Sequence, residues 1–131
     1  MINFLAATLF GAMISFMVLI SPIVFNVLTP DGAKKFLRKF FPRLFTFGLV
    51  ISALLIVFTF REFNLLDQTL SVIIFLGFFF NKFFITPKVN KYRDLELKNV
   101  KNAKKIFSIL HFLSVCIFVI QLILSLIIIF N

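Results

Sequence analysis

This chain is poor in nearly every residue type that carries chemistry. It has one histidine, one cysteine and five acidic residues in 131 positions. The lone cysteine, Cys116, excludes an intrachain disulfide and is expected to pack as a small hydrophobe. One His and one Cys cannot assemble a conventional zinc site within one chain, so no metal centre is expected. The acids, Asp31, Glu62, Asp67, Asp94 and Glu96, all lie in loops or at the ends of apolar runs. Proton- or sodium-coupled transporters usually carry a carboxylate inside the membrane, so this pattern argues against that class. No Ser/His/Asp set and no glycine-rich phosphate loop is present, so nothing marks the chain as an enzyme.

What the chain has in abundance is apolar surface. Hydrophobic residues make up 61% of it, and 22 residues are Phe. A soluble domain of this size leaves too much of its chain at the surface to hide that much. The apolar residues fall into four runs, at about 3–28, 44–60, 68–85 and 106–130, near the roughly 20 residues that cross a bilayer. The expected fold is therefore an all-α, integral membrane four-helix bundle, with residues 1–131 forming one domain. The first run is expected to be a retained span. Met1-Ile2-Asn3 offers no positive n-region, and no small-x-small cleavage site follows.

The net charge of +9 is unevenly distributed. The loop at 29–43 carries Lys34, Lys35, Arg38, Lys39 and Arg43 against Asp31. The loop at 86–105 carries Lys88, Lys91, Arg93, Lys98, Lys101, Lys104 and Lys105 against Asp94 and Glu96. Between spans two and three, Arg61 faces Glu62 and Asp67. The positive-inside rule puts both basic loops in the cytoplasm and both termini outside it. The basic surplus then reads as topology and contact with anionic inner-leaflet lipid, and no nucleic acid is expected as a partner. The expected location is a bacterial inner (plasma) membrane.

In the first basic loop, Phe36, Leu37, Phe40 and Phe41 share one helical sector, and Lys34, Lys35, Arg38 and Lys39 the opposite one. This predicts a short amphipathic interfacial helix with its four basic residues on the lipid surface. Thr29 or Asp31 would cap it and Pro42 would end it. In the other loop, Thr86-Pro87 predicts a break. A helix would then run from about Lys91 through span four, with Asp94 and Lys98 forming an i,i+4 pair. Both hairpins contain Thr-Pro followed by Ala-Lys-Lys, a faint similarity of the two halves.

Polar and small residues inside spans normally face other helices. On that ground Ala7, Gly11, Ser15, Pro22 and Asn26 mark the inward face of span one. Gly48, Ser52 and Thr59 mark that of span two, and Gly77 and Asn81 that of span three. Ser108, His111, Ser114, Gln121 and Ser125 mark span four. Close packing explains such stripes, and a polar pathway is the competing reading. Lys82 is the one formal charge inside a span, explicable by snorkelling. Pro22 is expected to kink span one. His111 is the best single candidate for chemistry, as a ligand or a proton relay. A haem with two histidine ligands would need a second imidazole from elsewhere, so no cofactor is expected, haem included.

Several of these stretches resemble a known family. Gly11-Ala-Met-Ile-Ser15-Phe, Ser21-Pro22-Ile-Val-Phe25 and the segment from Ala33 to Phe41-Pro42-Arg43 are similar to the first half of the domain shared with transmembrane protein 205. Pro87-Lys-Val-Asn90 and Phe107-Ser-Ile-Leu-His111-Phe-Leu-Ser114 are similar to the second half. In bacteria this is the DUF4149 type of small four-span domain. The resemblance implies the fold and little chemistry, although eukaryotic relatives are associated with platinum-drug tolerance and secretory traffic. It carries over as motif positions Pro22, Phe25, Pro42, Arg43, Pro87, Asn90, His111 and Ser114. The candidate polar site is accordingly His111, Ser114, Arg43, Asn90 and Pro22, near the cytoplasmic surface. The expected function is that of a small accessory membrane protein that packs with itself or with a larger membrane partner. The alternatives are a haem or quinone subunit using His111, and a small oligomeric exporter or channel.

Overall fold

A computed structural model describes all 131 residues. Four helices long and apolar enough to cross a membrane make up almost the whole chain: α1 (Ile2–Val27), α2 (Pro30–Glu62), α3 (Leu65–Leu97) and α4 (Ala103–Phe130). The protein is an all-helical, multi-pass membrane protein. Its helices form a closed ring in which each packs on its sequence neighbour and α4 returns to α1. No Cα of α1 comes within 8 Å of α3, and none of α2 within 8 Å of α4. The backbone polar groups are spent inside each helix, as the hydrocarbon solvent demands.

The turns are short and chemically explicit. The Thr29 hydroxyl accepts from Gly32 N–H at 3.1 Å and Pro30 opens α2, so Thr29 is the N-cap. Asn64 caps α3 by accepting from Leu66 and Asp67 N–H. α3 stops at a Schellman turn built on asparagine, so the single helix expected from Lys91 through span four does not form. Asn99 takes φ 57°, its N–H donates to Glu96, and Val100 N–H donates to Leu95.

The helices are longer than the apolar runs, and this changes both basic loops. α2 has 33 residues, about 50 Å at 1.5 Å each, against a hydrocarbon core of about 30 Å. The expected interfacial helix is instead the first part of α2, continuous with span two through Pro42. Its apolar sector packs on α1. The Phe16 ring stacks on Phe40 at 5.2 Å and meets Phe41 edge-on at 5.0 Å, while Phe36 stacks on Phe40. Pro42 removes one intrahelical hydrogen bond, and these aromatic contacts support the helix where that bond is missing.

Nor does Pro87 break span three, since α3 runs on to Leu97. A π-helical turn, Asn81–Ile85, precedes Thr86-Pro87, and α1 repeats the device with Phe16–Ile20 before Ser21-Pro22. In each case the residue before proline donates to the carbonyl five back, Ser21 to Phe16 and Thr86 to Asn81. The wider turn moves the proline ring off the carbonyl four residues back, with which it would otherwise collide. The expected Asp94–Lys98 pair is also absent. The intrahelical ion pair here is Arg93–Glu96, at 2.8 Å.

Packing is concentrated away from the basic end. Leu9, Met13, Phe45, Leu55, Ile74, Phe78 and Ile128 are all buried. Gly48 exists for Phe78, because a Cβ there would lie 2.5 Å from its ring. Gly77 likewise admits Gln121, whose amide donates to Ile74 C=O at 2.8 Å. Thr59 and Ser71 share a buried hydrogen bond at 3.1 Å. The stripes read from spans two and three are therefore packing faces. The stripe in span one is not. Ala7, Pro22 and Asn26 are exposed and nothing lies within 4 Å of a Cβ at Gly11. Ile2, Leu5, Ala6, Leu9 and Met13 form the buried face of α1 instead.

Candidate functional site: a cavity at the basic end

Below the packed half the ring opens. Up to Ser15, α1 lies against α4, but no Cα of Phe16–Val27 comes within 8 Å of it. The parting begins at the π turn that precedes Pro22. In α4, no residue between Lys104 and Ile117 is buried, whereas Phe118, Gln121, Ser125 and Ile128 are. The space left between the helices is a cavity of about 530 Å³, lined from all four. That volume lies within the range that holds small ligands.

The lining changes character along the helix axes. Phe16, Phe41, Phe45, Phe118 and Val119 make an apolar floor. Lys34, Arg38, Asn90, Arg93 and His111 make a polar rim towards the basic end. Where α1 and α4 part, the lining comes from Met17 and Phe25 of α1, Leu28 just beyond it, and Phe107, His111 and Val115 of α4.

The rim is held by two arrangements. Across α2 and α3, Arg38 Nη2 donates to Asp94 Oδ1 at 2.6 Å and to the Asn90 carbonyl at 3.0 Å. Lys34 Nζ reaches the same Asp94 oxygen at 3.3 Å. Each helix presents its two partners at a spacing of four, one above the other. The Arg38 hydrogen bond holds the Asp94 carboxyl below the usual carboxylate range. Partial desolvation opposes this and Lys34 adds to it. On the other side the Arg93 guanidinium lies 5.0 Å over the Phe107 ring, whose other neighbour is the parallel His111 ring at 5.8 Å. Arg93 is also bound to Glu96.

The structure brings some of the expected site residues together and leaves others out. His111, Ser114 and Asn90 all line the cavity. His111 is exposed where α1 and α4 part and makes no hydrogen bond. Ser114 is already engaged, donating to Asn81 Oδ1 at 2.8 Å while its carbonyl accepts from Asn81 Nδ2 at 3.4 Å. Asn90 offers its backbone carbonyl to Arg38 and keeps its side chain free. Arg43 is exposed and does not line the cavity, because a two-residue step from either Phe41 or Phe45 carries it about 200° round α2, to the opposite side. Pro22 is exposed and also outside the lining.

Of the four basic residues expected on the lipid surface, Lys34 and Arg38 turn inward to Asp94. Lys35 pairs with Asp31 at 2.9 Å on the outer side, and Lys39 lies outside the lining. Sequence reasoning missed Lys34, Arg38 and Asp94 as one group. The readable signal was the four-residue spacing in Lys34/Arg38 and Asn90/Asp94, on helices joined through a packed hairpin. Lys82 is also occupied, donating to Thr46 Oγ1 of α2 at 2.6 Å. No group of three or more His, Cys, Asp or Glu side chains that could hold a metal ion is present.

The model of the domain of unknown function DUF4149 matches residues 4–97. No curated protein and no solved structure matches the chain.

Proposed function

The chain belongs to the DUF4149 family, a domain whose description supplies no activity, and from the geometry of its basic end we propose that it is a binding module of the bacterial inner membrane. In this reading the basic loops face the cytoplasm and both termini lie outside it, as the charge distribution supports. The protein acts by holding a ligand in the cavity rather than by transforming one. One observation carries this: a 530 Å³ space lined from all four helices, with a polar rim over an apolar floor. Of the two hydroxyls that line it, Ser114 is already spent on Asn81.

Native mass spectrometry from a mild detergent tests the reading. The wild-type chain should retain a molecule carried from the membrane, and Val119→Trp, which fills the floor, should lose it. No retained mass in the wild type, or the same mass in Val119→Trp, would sink the proposal. The orientation is tested separately by single-cysteine labelling in a Cys116→Ser background. An impermeant reagent reaching position 35 from outside intact cells would reverse it.

A second reading keeps the accessory role. Ala7, Gly11 and Ser15 form a small-residue stripe on α1, of which Ala7 is exposed and Gly11 has open space beside it. Small residues let helix backbones approach within a membrane, so this face suits another copy or a larger membrane protein. Disulfide cross-linking of Gly11→Cys in the Cys116→Ser background should then trap a dimer or a mixed complex. A monomer at native expression would remove this reading.

A further inference from the structure

Building on the cavity-binding reading, we infer that the ligand is an anionic membrane lipid, with its headgroup on the Lys34–Arg38 rim and an acyl chain on the phenylalanine floor. The charge at the rim is unbalanced. Lys34 and Arg38 converge on a single carboxylate oxygen, Asp94 Oδ1, so two cations meet one anion. Arg93 and Glu96 neutralise each other nearby. One positive charge is thus left over where the cavity meets the headgroup region, and a phosphate oxygen satisfies it. The Asn90 amide and the exposed His111 add uncommitted polar groups beside it.

The depth of the cavity fits a lipid rather than a soluble anion. From Phe107 to Val119 the lining covers about 18 Å of helix rise. Half of a hydrocarbon core is about 15 Å. A headgroup at the rim therefore places its chain alongside the floor and ends it near the bilayer midplane. The route of entry points the same way. Because α1 parts from α4 at Phe16, Met17 and Phe25 stand across the cavity from His111 and Val115, and a parting between two spans gives lipid a lateral way in. A lipid enters through it without leaving the membrane. A water-soluble ligand has no use for an apolar side opening.

The test is binding of defined lipids to the full-length protein in nanodiscs, read by native mass spectrometry after gentle ejection. The arms are phosphatidylglycerol, phosphatidylcholine and free glycerol phosphate. Phosphatidylglycerol should be retained in preference to phosphatidylcholine, and glycerol phosphate should not compete. Arg38→Gln should weaken phosphatidylglycerol about fivefold, the effect of removing one basic contact near a membrane surface. Lys35→Gln, which keeps a basic residue outside the cavity from acting, should change nothing. Val115→Trp, where α1 and α4 part and extra bulk is easily accommodated, should abolish retention of either lipid.

Equal retention of both lipids, unaffected by Arg38→Gln but lost in Val115→Trp, overturns the anionic headgroup and leaves the cavity reading standing. Competition by glycerol phosphate overturns the lipid and leaves a soluble anion. Retention that survives both Val115→Trp and Val119→Trp overturns this inference and the cavity reading together.

Discussion

The two halves of this bundle are made of the same apolar residues and behave as different materials. In the half away from the basic loops, facing side chains interlock. Phe78 fills the notch left by Gly48, Gln121 fills that left by Gly77, and Thr59 bonds to Ser71. In the basic half the helices are tied at their ends by Arg38, Lys34 and Asp94 and stand apart between, around the cavity. Hydrophobicity cannot distinguish them, because lipid tails are as apolar as leucine and give no drive to close the gap. Interlocking small and large residues make the difference. The half that lacks them is free to hold something else.

The strongest way to break this comparison is to remove a ring from each half. Phe78→Ala should cost about 3–5 kcal/mol, since the void it leaves is enclosed. Phe41→Ala, whose ring borders the cavity, should cost roughly half of that or less, because less packing is lost. Reversible unfolding in bicelles measures both, and equal losses would mean that the two halves are packed alike.

Two glycines sharpen the point. Gly48→Leu must displace the Phe78 ring and should destabilise by about 1–3 kcal/mol. Gly11→Leu meets open space and should leave folding unchanged. A large loss at Gly11 would show that its face is covered in the membrane, in favour of a partner.

The polar links should matter less than the packing. Ser114→Ala breaks the bond to Asn81, and interhelical hydrogen bonds in membranes average about 0.6 kcal/mol. A loss above about 2 kcal/mol would make this link an organiser of the α3–α4 interface, beyond the upper range of such bonds.

The smallest effect concerns acid. The lowered value at Asp94 means that the tie to Arg38 is complete above the ordinary aspartate value of about 3.9 and fades as the pH falls through the lowered one. Hydrogen exchange at the basic ends of α2 and α3 should therefore be indifferent to pH effects on Asp94 between about pH 5 and 8, after correction for intrinsic exchange. It should rise only in strong acid. Asp94→Asn should show the loosened ends at neutral pH, and a variant as protected as the wild type would mean that the ion pair does not hold the rim.

How much of this was readable in advance depends on the kind of signal. The four spans were visible in the apolar runs, and the family resemblance extends across the matched residues 4–97. The packing faces of spans two and three followed from glycine and hydroxyl spacing. The inward face of span one was misread because the same small-residue pattern serves equally for a helix partner and for lipid. Pro42 and Pro87 were read as breaks because proline alone suggests one. Aromatic contacts across to Phe16 carry α2 through the first, and a π turn makes room for the second. The true end of α3, at Asn99, was hidden because a left-handed asparagine does in this turn what glycine more commonly does. Of the residues that line the cavity, His111, Asn90 and Ser114 were singled out from their motif, whereas the Arg38–Asp94 link was not read at all. It joins residues 56 apart in sequence, and the four-residue spacing on each helix marks a face without saying which faces meet.

The sequence by itself determined the number of helices, their membrane character and the end at which the basic charge collects. These are properties of single segments, set by the transfer of side chains and backbone between water and lipid. Only the tertiary structure decided which face of each helix turns inward, that α1 leaves α4 at the π turn, and that two cations share one carboxylate over a cavity. Those features depend on which side chains meet across helices, and that matching is a property of the assembled bundle.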